Sequence, residues 1–302
     1  WHPERISVVT KRARVLVVGA GPAGLEAALS LGRRGLEVTL AERGDALGGR
    51  VLRECTLPGL STWIRVRDWR AHMIGKLPNV AVFLGSDMGV AEIAEFGADH
   101  VVLATGSVWR RDGVGVLGMD AGVFAGALTP DDVFGGAPVV GPVVIYDDEH
   151  YFMGGAMAER LAGLGHQVTL VTPQAVASSW TAMTDEQGFV QARLLAAGVQ
   201  VVPLQMLVGQ VAGAVRLACV YSGQETARPC GTLILVTGRL PVDGLYAGLM
   251  AAGVAAVSRV GDCLAPSSIA DAVYSAHRFA RGYGAVSDAP LQRERPALRG
   301  VL

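Results

Sequence analysis

The chain has 302 residues, 51% hydrophobic and 18% charged, with a formal net charge of −1. That composition provides a large core and about two domains, and it excludes global disorder. The near-neutral charge gives no support for nucleic-acid binding, and apolar runs broken by Gly, Pro or charge well short of about 18 residues leave no membrane span.

Residues 1–13 begin WHPERISVVTKR, with Trp1 rather than Met in first place. They resemble neither a signal nor a transit peptide and read as a connecting arm, so a larger polypeptide is expected upstream. Residues 14–42 then form strand, tight turn, helix and strand. The turn carries Gly19, Gly21 and Gly24 in the spacing G-x-G-x-x-G, with Pro22 and Ala23 between them, and the second strand ends on Glu42. Each part has a physical role in holding a dinucleotide or adenine nucleotide. Gly19 permits the sharp turn, Gly21 lets a pyrophosphate approach the backbone, and Gly24 lets the helix pack on the strand. The helix N-terminus offers unpaired N–H groups to phosphate, and Glu42 can accept from ribose hydroxyls. The competing reading is a glycine-rich turn that binds nothing; the register of strand, helix, strand and acid argues against it.

Downstream of Glu42, Arg43 and GDALGGR (44–50) continue this candidate site, Gly49 allowing close approach and Arg50 adding positive charge. Residues 51–62 read as a loop, 63–77 as an arginine-bearing helix, 80–85 as a strand and 90–97 as a short helix. The apolar run from His100 ends in Ala104-Thr105-Gly106, about 80 residues after the glycine motif. Such a tripeptide at such a place resembles the second mark of flavoprotein nucleotide domains, which passes beside the cofactor.

Residues 107–142, rich in Gly, Pro and Asp, read as a linker. From 142 to 173 the strand–turn–helix–strand pattern restarts as an internal repeat, but Asp147, Asp148, Glu149, His150, Tyr151 and Phe152 stand where phosphate glycines belong. Carboxylates oppose a pyrophosphate and bulky side chains block its approach. The second strand ends at Thr172-Pro173, with no acid for a ribose and no arginine for a 2′-phosphate. The repeat therefore reads as a nucleotide fold that has lost NAD(P)H binding. Residues 174–188 form a polar loop around Trp180, a candidate contact for a redox partner, and 198–239 supply further strand candidates. Gly261-Asp262 closes a last strand ahead of a helix; in flavin-binding relatives such an Asp contacts the ribityl or pyrophosphate region. A polar tail follows 285.

The fold class expected is α/β, with two Rossmann-like FAD/NAD(P)-type domains and the second inserted into the first: 14–125 with 255–285, and 140–254, followed by a tail at 286–302. Cys55, Cys219, Cys230 and Cys263 form no Cys-x-x-Cys pair, so no zinc ribbon or local iron–sulphur site is encoded, and scattered thiols suit a reducing cytoplasm. His150 and His166 read as surface or loop histidines, and His72 and His277 as solvated ones. Asp147, Asp148 and Glu149 are not read as a metal site, because adjacent carboxylates in a strand-end turn do not converge.

GAGPAG, Glu42, ATG and GD in this order resemble the pyridine-nucleotide-disulphide reductase fold. WHPE, LPGLSTW, FGADHVVLATGSVWR, YDDEHYFMGG, ASSWT, LVTGR and GDCLAPSSIADAVYSAHR narrow the likeness. Together they resemble the C-terminal half of the trimethylamine/dimethylamine/histamine dehydrogenase group, over nearly the whole chain. The resemblance implies an upstream barrel carrying covalent FMN and a 4Fe-4S cluster, amine oxidation at the flavin, and electron delivery to an electron-transfer flavoprotein. It also implies ADP in place of FAD at the first glycine turn, and a homo-oligomer is expected. The barrel and the cluster cysteines are absent from this sequence. The alternative is a working FAD-dependent NAD(P)H oxidoreductase of the dienoyl-CoA reductase type, favoured by Asp262 and Ala104–Gly106 and opposed by the turn at 147–152.

Overall fold

The structure is a computed structural model and describes residues 6–119 and 122–284. The chain opens with β1 (Arg14–Val18), α1 (Pro22–Arg33) and β2 (Glu37–Ala41), the expected βαβ unit. Four of the five β1 residues are buried. A continuous apolar run of this kind marks a parallel strand covered on both faces. After it come α2 (Val51–Glu54), α3 (Arg65–Ile74), β3 (Val80–Phe83), α4 (Val90–Phe96) and β4 (His100–Leu103). Next are β5 (Ser107–Trp109) and α5 (Pro130–Phe134), then the second βαβ unit: β6 (Val143–Asp147), α6 (Phe152–Gly163) and β7 (Val168–Val171). The remainder is α7 (Gln187–Ala196), β8 (Gln200–Val202), β9 (Gln205–Val211), β10 (Ala214–Cys219), β11 (Glu225–Pro229), β12 (Thr232–Val236), β13 (Arg239–Pro241), α8 (Gly244–Ala251), β14 (Val257–Arg259) and α9 (Ile269–Gly282).

The chain divides into two units. One takes the described residues up to Gly49, Arg65–Gly106 and those from Val242 on; the other takes Arg50–Ile64 and Ser107–Pro241. The first unit holds a five-stranded sheet in the order β14-β4-β1-β2-β3, parallel throughout. The second holds a four-stranded parallel sheet, β12-β6-β7-β8, a three-stranded antiparallel sheet, β11-β10-β9, and the antiparallel ribbon β13-β5. Each unit is thus an α/β layer structure of the expected class. Sequence places the boundaries at 125–140 and 254–255; the corresponding divisions in the structure fall after Gly106 and Pro241, and residues 50–64 also join the second unit.

Several segments carry more structure than their composition implies. The stretch at 51–62 contains α2, and Leu57, Leu60 and Trp63 join the second unit's core, where Trp63 meets Phe152 edge-on at 5.4 Å. The 107–142 segment, read as a linker, supplies β5 and α5. A capping box starts α5: Asp132 accepts from the Thr129 N–H at 2.7 Å and from its hydroxyl at 2.8 Å. These elements are too short to show a period in sequence. The strand candidate at 225–239 separates into β11, β12 and β13, one in each of the second unit's three sheets. The tail beyond 285 lies outside the described residues.

In the first unit α1 is buried on nearly every side, including Glu26 and Ser30. Glu26 is satisfied by three elements at once. Arg70 on α3 donates to Oε2 at 2.8 Å, Ser30 donates to Oε1 at 2.7 Å, and His277 Nδ1 on α9 lies 2.8 Å from Oε1. His277 was expected to be solvated; its side chain is 13% exposed because the Glu26 carboxylate draws it inward. Burial alone raises the Glu26 carboxyl, but the His277 bond, the Arg70 charge and the Ser30 bond outweigh it and hold the group below the usual carboxylate range. Folding lowers this pKa, so the contribution is present above the unfolded value and lost as pH falls through the folded one. Glu26→Gln is expected to cost roughly 3 kcal/mol near neutrality by removing the buried negative charge that faces Arg70 and His277. Denaturant unfolding at neutral pH and near pH ~4 checks it, and the deficit should shrink at the acid end.

Candidate functional site

The first glycine turn follows β1, between the carboxyl ends of β4 and β2, where strand order reverses and open α/β sheets bind ligands. Gly19 has φ +97, and a Cβ there would lie 2.5 Å from the Ala104 carbonyl oxygen. A Cβ on Gly24 would lie 1.8 Å from the Gly19 carbonyl oxygen. Neither position admits a side chain, and the two contacts bring the start of α1 against the ends of β1 and β4. Gly21 differs, since a Cβ there meets nothing within 4 Å. It is the N-cap of α1 and no side chain caps the helix, so the first-turn N–H groups of Ala23 and Gly24, behind Pro22, have no side-chain acceptor.

Glu42, at the end of β2, closes over this turn. It accepts from the Ala20 N–H at 2.7 Å and from the Gly44 N–H at 2.9 Å. Gly48 N donates to Ala20 O at 2.9 Å, and a Cβ on Gly49 would lie 3.0 Å from Gly21 Cα. Arg43 is exposed on the rim. On the other flank, Gly261 packs against Ala23, a Cβ there lying 2.5 Å from the alanine methyl. This sets Asp262 beside the start of α1, where its carboxylate accepts from Ser267 N at 3.2 Å. Thr105 and Gly106 bond to Val242, the hydroxyl donating at 2.5 Å and the Gly106 carbonyl accepting at 3.0 Å. The structure therefore assembles Gly19, Gly21, Pro22, Ala23, Gly24, Glu42, Gly49, Ala104 and Asp262 around one turn. Arg50 is engaged elsewhere. Its guanidinium lies 3.0 Å from Glu54 and 3.4 Å from Asp131 in the second unit and covers the Trp109 ring at 5.6 Å. Two carboxylates already partner the charge expected for a phosphate.

The second turn is built from the same elements with different chemistry. Asp147 ends β6, and its Oδ1 accepts from the N–H groups of Glu149 and His150 at 3.2 and 3.0 Å. Asp148 accepts from Leu117 and Gly118 N–H at 3.1 and 2.7 Å. His150, with φ +68, was expected to be a surface or loop histidine; it lies in the loop between β6 and α6 and is fully buried. Its Nε2 lies 2.9 Å from Asp148, its carbonyl accepts from Trp180 N at 2.9 Å, and its ring meets the Trp180 ring at 5.9 Å. Trp180 itself is 41% exposed. The loop Gly113–Gly118 reaches the turn through backbone bonds that no sequence period announces. β7 is followed by buried Thr172 and then Pro173, with no acid to meet a ribose. Among the described residues, no three His, Cys, Asp or Glu side chains converge as a metal site, and no helix is long and apolar enough to cross a membrane.

Burial, then the charge of Glu149, pushes the Asp147 carboxyl up to about 7, against the His150 N–H that favours its ionised form. Burial pushes Glu149 up as well. A carboxyl raised by folding contributes most below its unfolded pKa and loses that contribution as pH rises through the folded one. Asp147→Asn, which keeps the acceptor and removes the charge, is therefore expected to be more stable than the parent chain above neutrality. The gain should be absent near pH ~4, grow with pH and level off above about 7. Melting curves across that range check the sign.

The family described as pyridine nucleotide-disulphide oxidoreductase matches residues 13–262. Dimethylamine dehydrogenase of Hyphomicrobium sp. (strain x) is 33% identical over 336 residues, which cover 99% of this chain and 45% of that protein. The solved histamine dehydrogenase from Rhizobium sp. 4-9 matches with a TM-score of 0.92 and 41% identity, over 96% of this chain and 47% of that one. The 6-hydroxypseudooxynicotine amine oxidase from Pseudomonas geniculata N1 matches with a TM-score of 0.90 and 38% identity, over 94% and 44%. The chain thus spans under half the length of each of these relatives. The match runs through both βαβ turns and both parallel sheets, and the chain belongs to the pyridine nucleotide-disulphide oxidoreductase family.

Proposed function

We propose that this chain is the ADP-binding C-terminal portion of an iron–sulphur flavoprotein amine dehydrogenase, which oxidises a small amine and passes electrons to an electron-transfer flavoprotein. The observation that carries the reading is the contrast between the two turns. The first presents an uncapped helix N-terminus over an open Gly21, with Glu42 beside it. The second has Tyr151 at the N-cap in place of that glycine, and the carboxylates of Asp147 and Glu149 take the turn's own N–H groups. One nucleotide site and no place for NAD(P)H is what a structural ADP requires. The names of the three relatives, all oxidoreductases of amines, support the same class.

The first site fits an adenine nucleotide on its own chemistry. The N–H groups of Ala23 and Gly24 and the helix dipole would meet the pyrophosphate, and Glu42 would turn its carboxylate from the backbone to the ribose. Bound ADP would supply no redox chemistry; it would tie β1, α1 and β2 together. FMN and the 4Fe-4S cluster belong, on the resemblance, to a barrel outside this chain. Cys55, Cys219, Cys230 and Cys263 are scattered free thiols and form no cluster site. A second reading, FAD in the first unit with NAD(P)H in the second, draws on Asp262 held beside the start of α1 and is opposed by the carboxylate-lined second turn. Extracting the nucleotide and recording the absorption spectrum separates them: ADP without a flavin band supports the first, FAD the second.

Two measurements test the assignment further. Gly21→Leu points its side chain into open space, so the fold should survive while nucleotide retention falls to background. Gly24→Ala forces a methyl onto the Gly19 carbonyl and should instead cost about 3 kcal/mol of stability. Equal retention in Gly21→Leu would remove the turn from the site. For the electron-transfer flavoprotein, the exposed Trp180 is the proposed contact. In the full-length enzyme Trp180→Ala should slow electron delivery while leaving amine-dependent flavin reduction and Tm nearly unchanged, and a loss of stability would make Trp180 a cap on His150 instead.

A further inference from the structure

We propose that the first unit binds a second copy of this chain through the open sheet edge at β3, the basic face of α3 on each copy lying against the acidic face of α4 on the other. The inference goes beyond the nucleotide reading and does not depend on it. Every residue concerned belongs to the first unit.

The sheet edge carries the first part of the argument. β3 pairs with β2 alone and ends the sheet. Val80 and Val82 turn onto the core beneath α1, so strand alternation turns Ala81 and Phe83 to the other face. Ala41, opposite Phe83 in the register, packs in the core beneath α4. At β3 that face is bare: Ala81 is exposed, Phe83 is 53% exposed and the following Leu84 46%. An open edge with bare apolar side chains is a template for association. At four residues β3 offers little backbone pairing, so its side chains make the contact.

Charge carries the second part. Residues 65–79 hold Arg65, Arg67, Arg70 and Lys76 against Asp68, whereas residues 80–99 hold four carboxylates and neither Lys nor Arg. On α3, Arg65, Trp69 and His72 share one exposed face, with Lys76 in the turn beyond. Asp68 is taken by Arg67 at 2.9 Å. On α4, Glu92, Glu95 and Phe96 share an exposed face. Among the described residues, Arg65, Lys76, Glu92 and Glu95 form no ion pair. Each face also presents an aromatic ring, Trp69 at 49% exposure and Phe96 at 39%. The guanidinium groups of Arg33 and Arg70 lie 5.7 and 5.5 Å from the Trp69 ring, and Glu26 fixes Arg70 in turn. A ring already held loses little freedom on docking.

Symmetry chooses the occupant. Val15 and Val17 face the core that includes Ile74 of α3, and Leu16 and Val18 face the core that includes Ile93 of α4. The two helices therefore lie on opposite faces of the sheet, and opposite charges flank one apolar edge. A half-turn about a line parallel to β3 exchanges the faces. It brings α3 of each copy to α4 of the other, with Phe83 and Leu84 at the axis. A half-turn about the sheet normal would set α3 against α3, like charge on like. An edge basic on one face and acidic on the other complements a copy of itself and opposes a partner of uniform charge.

The test is sedimentation equilibrium on the chain and on two charge-reversed variants. Arg65→Glu with Lys76→Glu makes the α3 face acidic like α4; Glu92→Lys with Glu95→Lys makes the α4 face basic like α3. All four positions are exposed, so Tm should stay near that of wild type. The wild-type chain should dimerise, and less tightly as salt rises to ~1 M and screens the charges. Each variant alone should associate about 100-fold more weakly. Mixed in equal amounts, the two should dimerise again, because the acidic α3 of one then meets the basic α4 of the other. A monomeric wild-type chain overturns the proposal, as does dimerisation of both variants at wild-type strength. A mixture that stays monomeric overturns the pairing of α3 with α4. If a reversed variant does not fold, Phe83→Ser decides: it should loosen the dimer, and a dimer as tight as wild type places the contact elsewhere.

Discussion

The approach of Gly24 to Gly19 is the constraint on which the first unit depends. A helix can start directly over the end of β1 only if no side chain stands between them, and the 1.8 Å that would separate a Cβ from the Gly19 carbonyl leaves no room for one. With that contact made, α1 runs back across the sheet, β2 lines up beside β1, and Glu42 arrives over the turn. The Gly19–Ala104 contact adds β4 on the other flank. Three strand ends and one helix N-terminus are thereby aimed at one volume, which is the physical content of a nucleotide site.

That close start has a consequence for α1 itself. A helix pressed onto the sheet and covered by α3 and α9 has no solvent face, and its Glu26 and Ser30 must find partners inside. Arg70 and His277 come from the two covering helices, so the carboxylate that would be a liability in an apolar core links three elements. Such an arrangement specifies packing more than it adds stability, because desolvating the charges offsets most of their attraction. It also ties the helix behind the glycine turn to α9, which follows Asp262 in the chain.

The two βαβ units form an internal comparison. Both have a parallel strand pair joined by a helix of 12 residues, and both keep a glycine one turn into that helix. They differ in what fills the space above it. In the first unit it is backbone, and the N-cap is Gly21; in the second it is the Asp147 carboxyl, and the N-cap is Tyr151. The same fold thus carries a glycine-lined turn and a carboxylate-lined one, set apart by a few side chains between strand and helix, in keeping with the rule that function resides in sites placed on folds.

Much of this was legible in the sequence, and for identifiable reasons. Apolar runs of four or five residues, glycines at fixed spacing and an acid at a strand end are local signals, and they determined both βαβ units, the parallel sheets, Gly19–Gly24 with Glu42, and the loss of glycines from the second turn. Local signals did not reach β5, α2 or α5, which are three to five residues long and are held by partners far away in the chain. Nor did they reveal the environment of a side chain. His277 and His150 sit in polar sequence and are drawn inward by Glu26 and by the turn at Asp148, while Arg50, placed for phosphate, pairs with Glu54 and Asp131. Sequence determined which backbone positions must be free of side chains, since that requirement is steric and local. Only the tertiary structure decided which charges meet, because a buried charge takes its partner from whatever element packs against it.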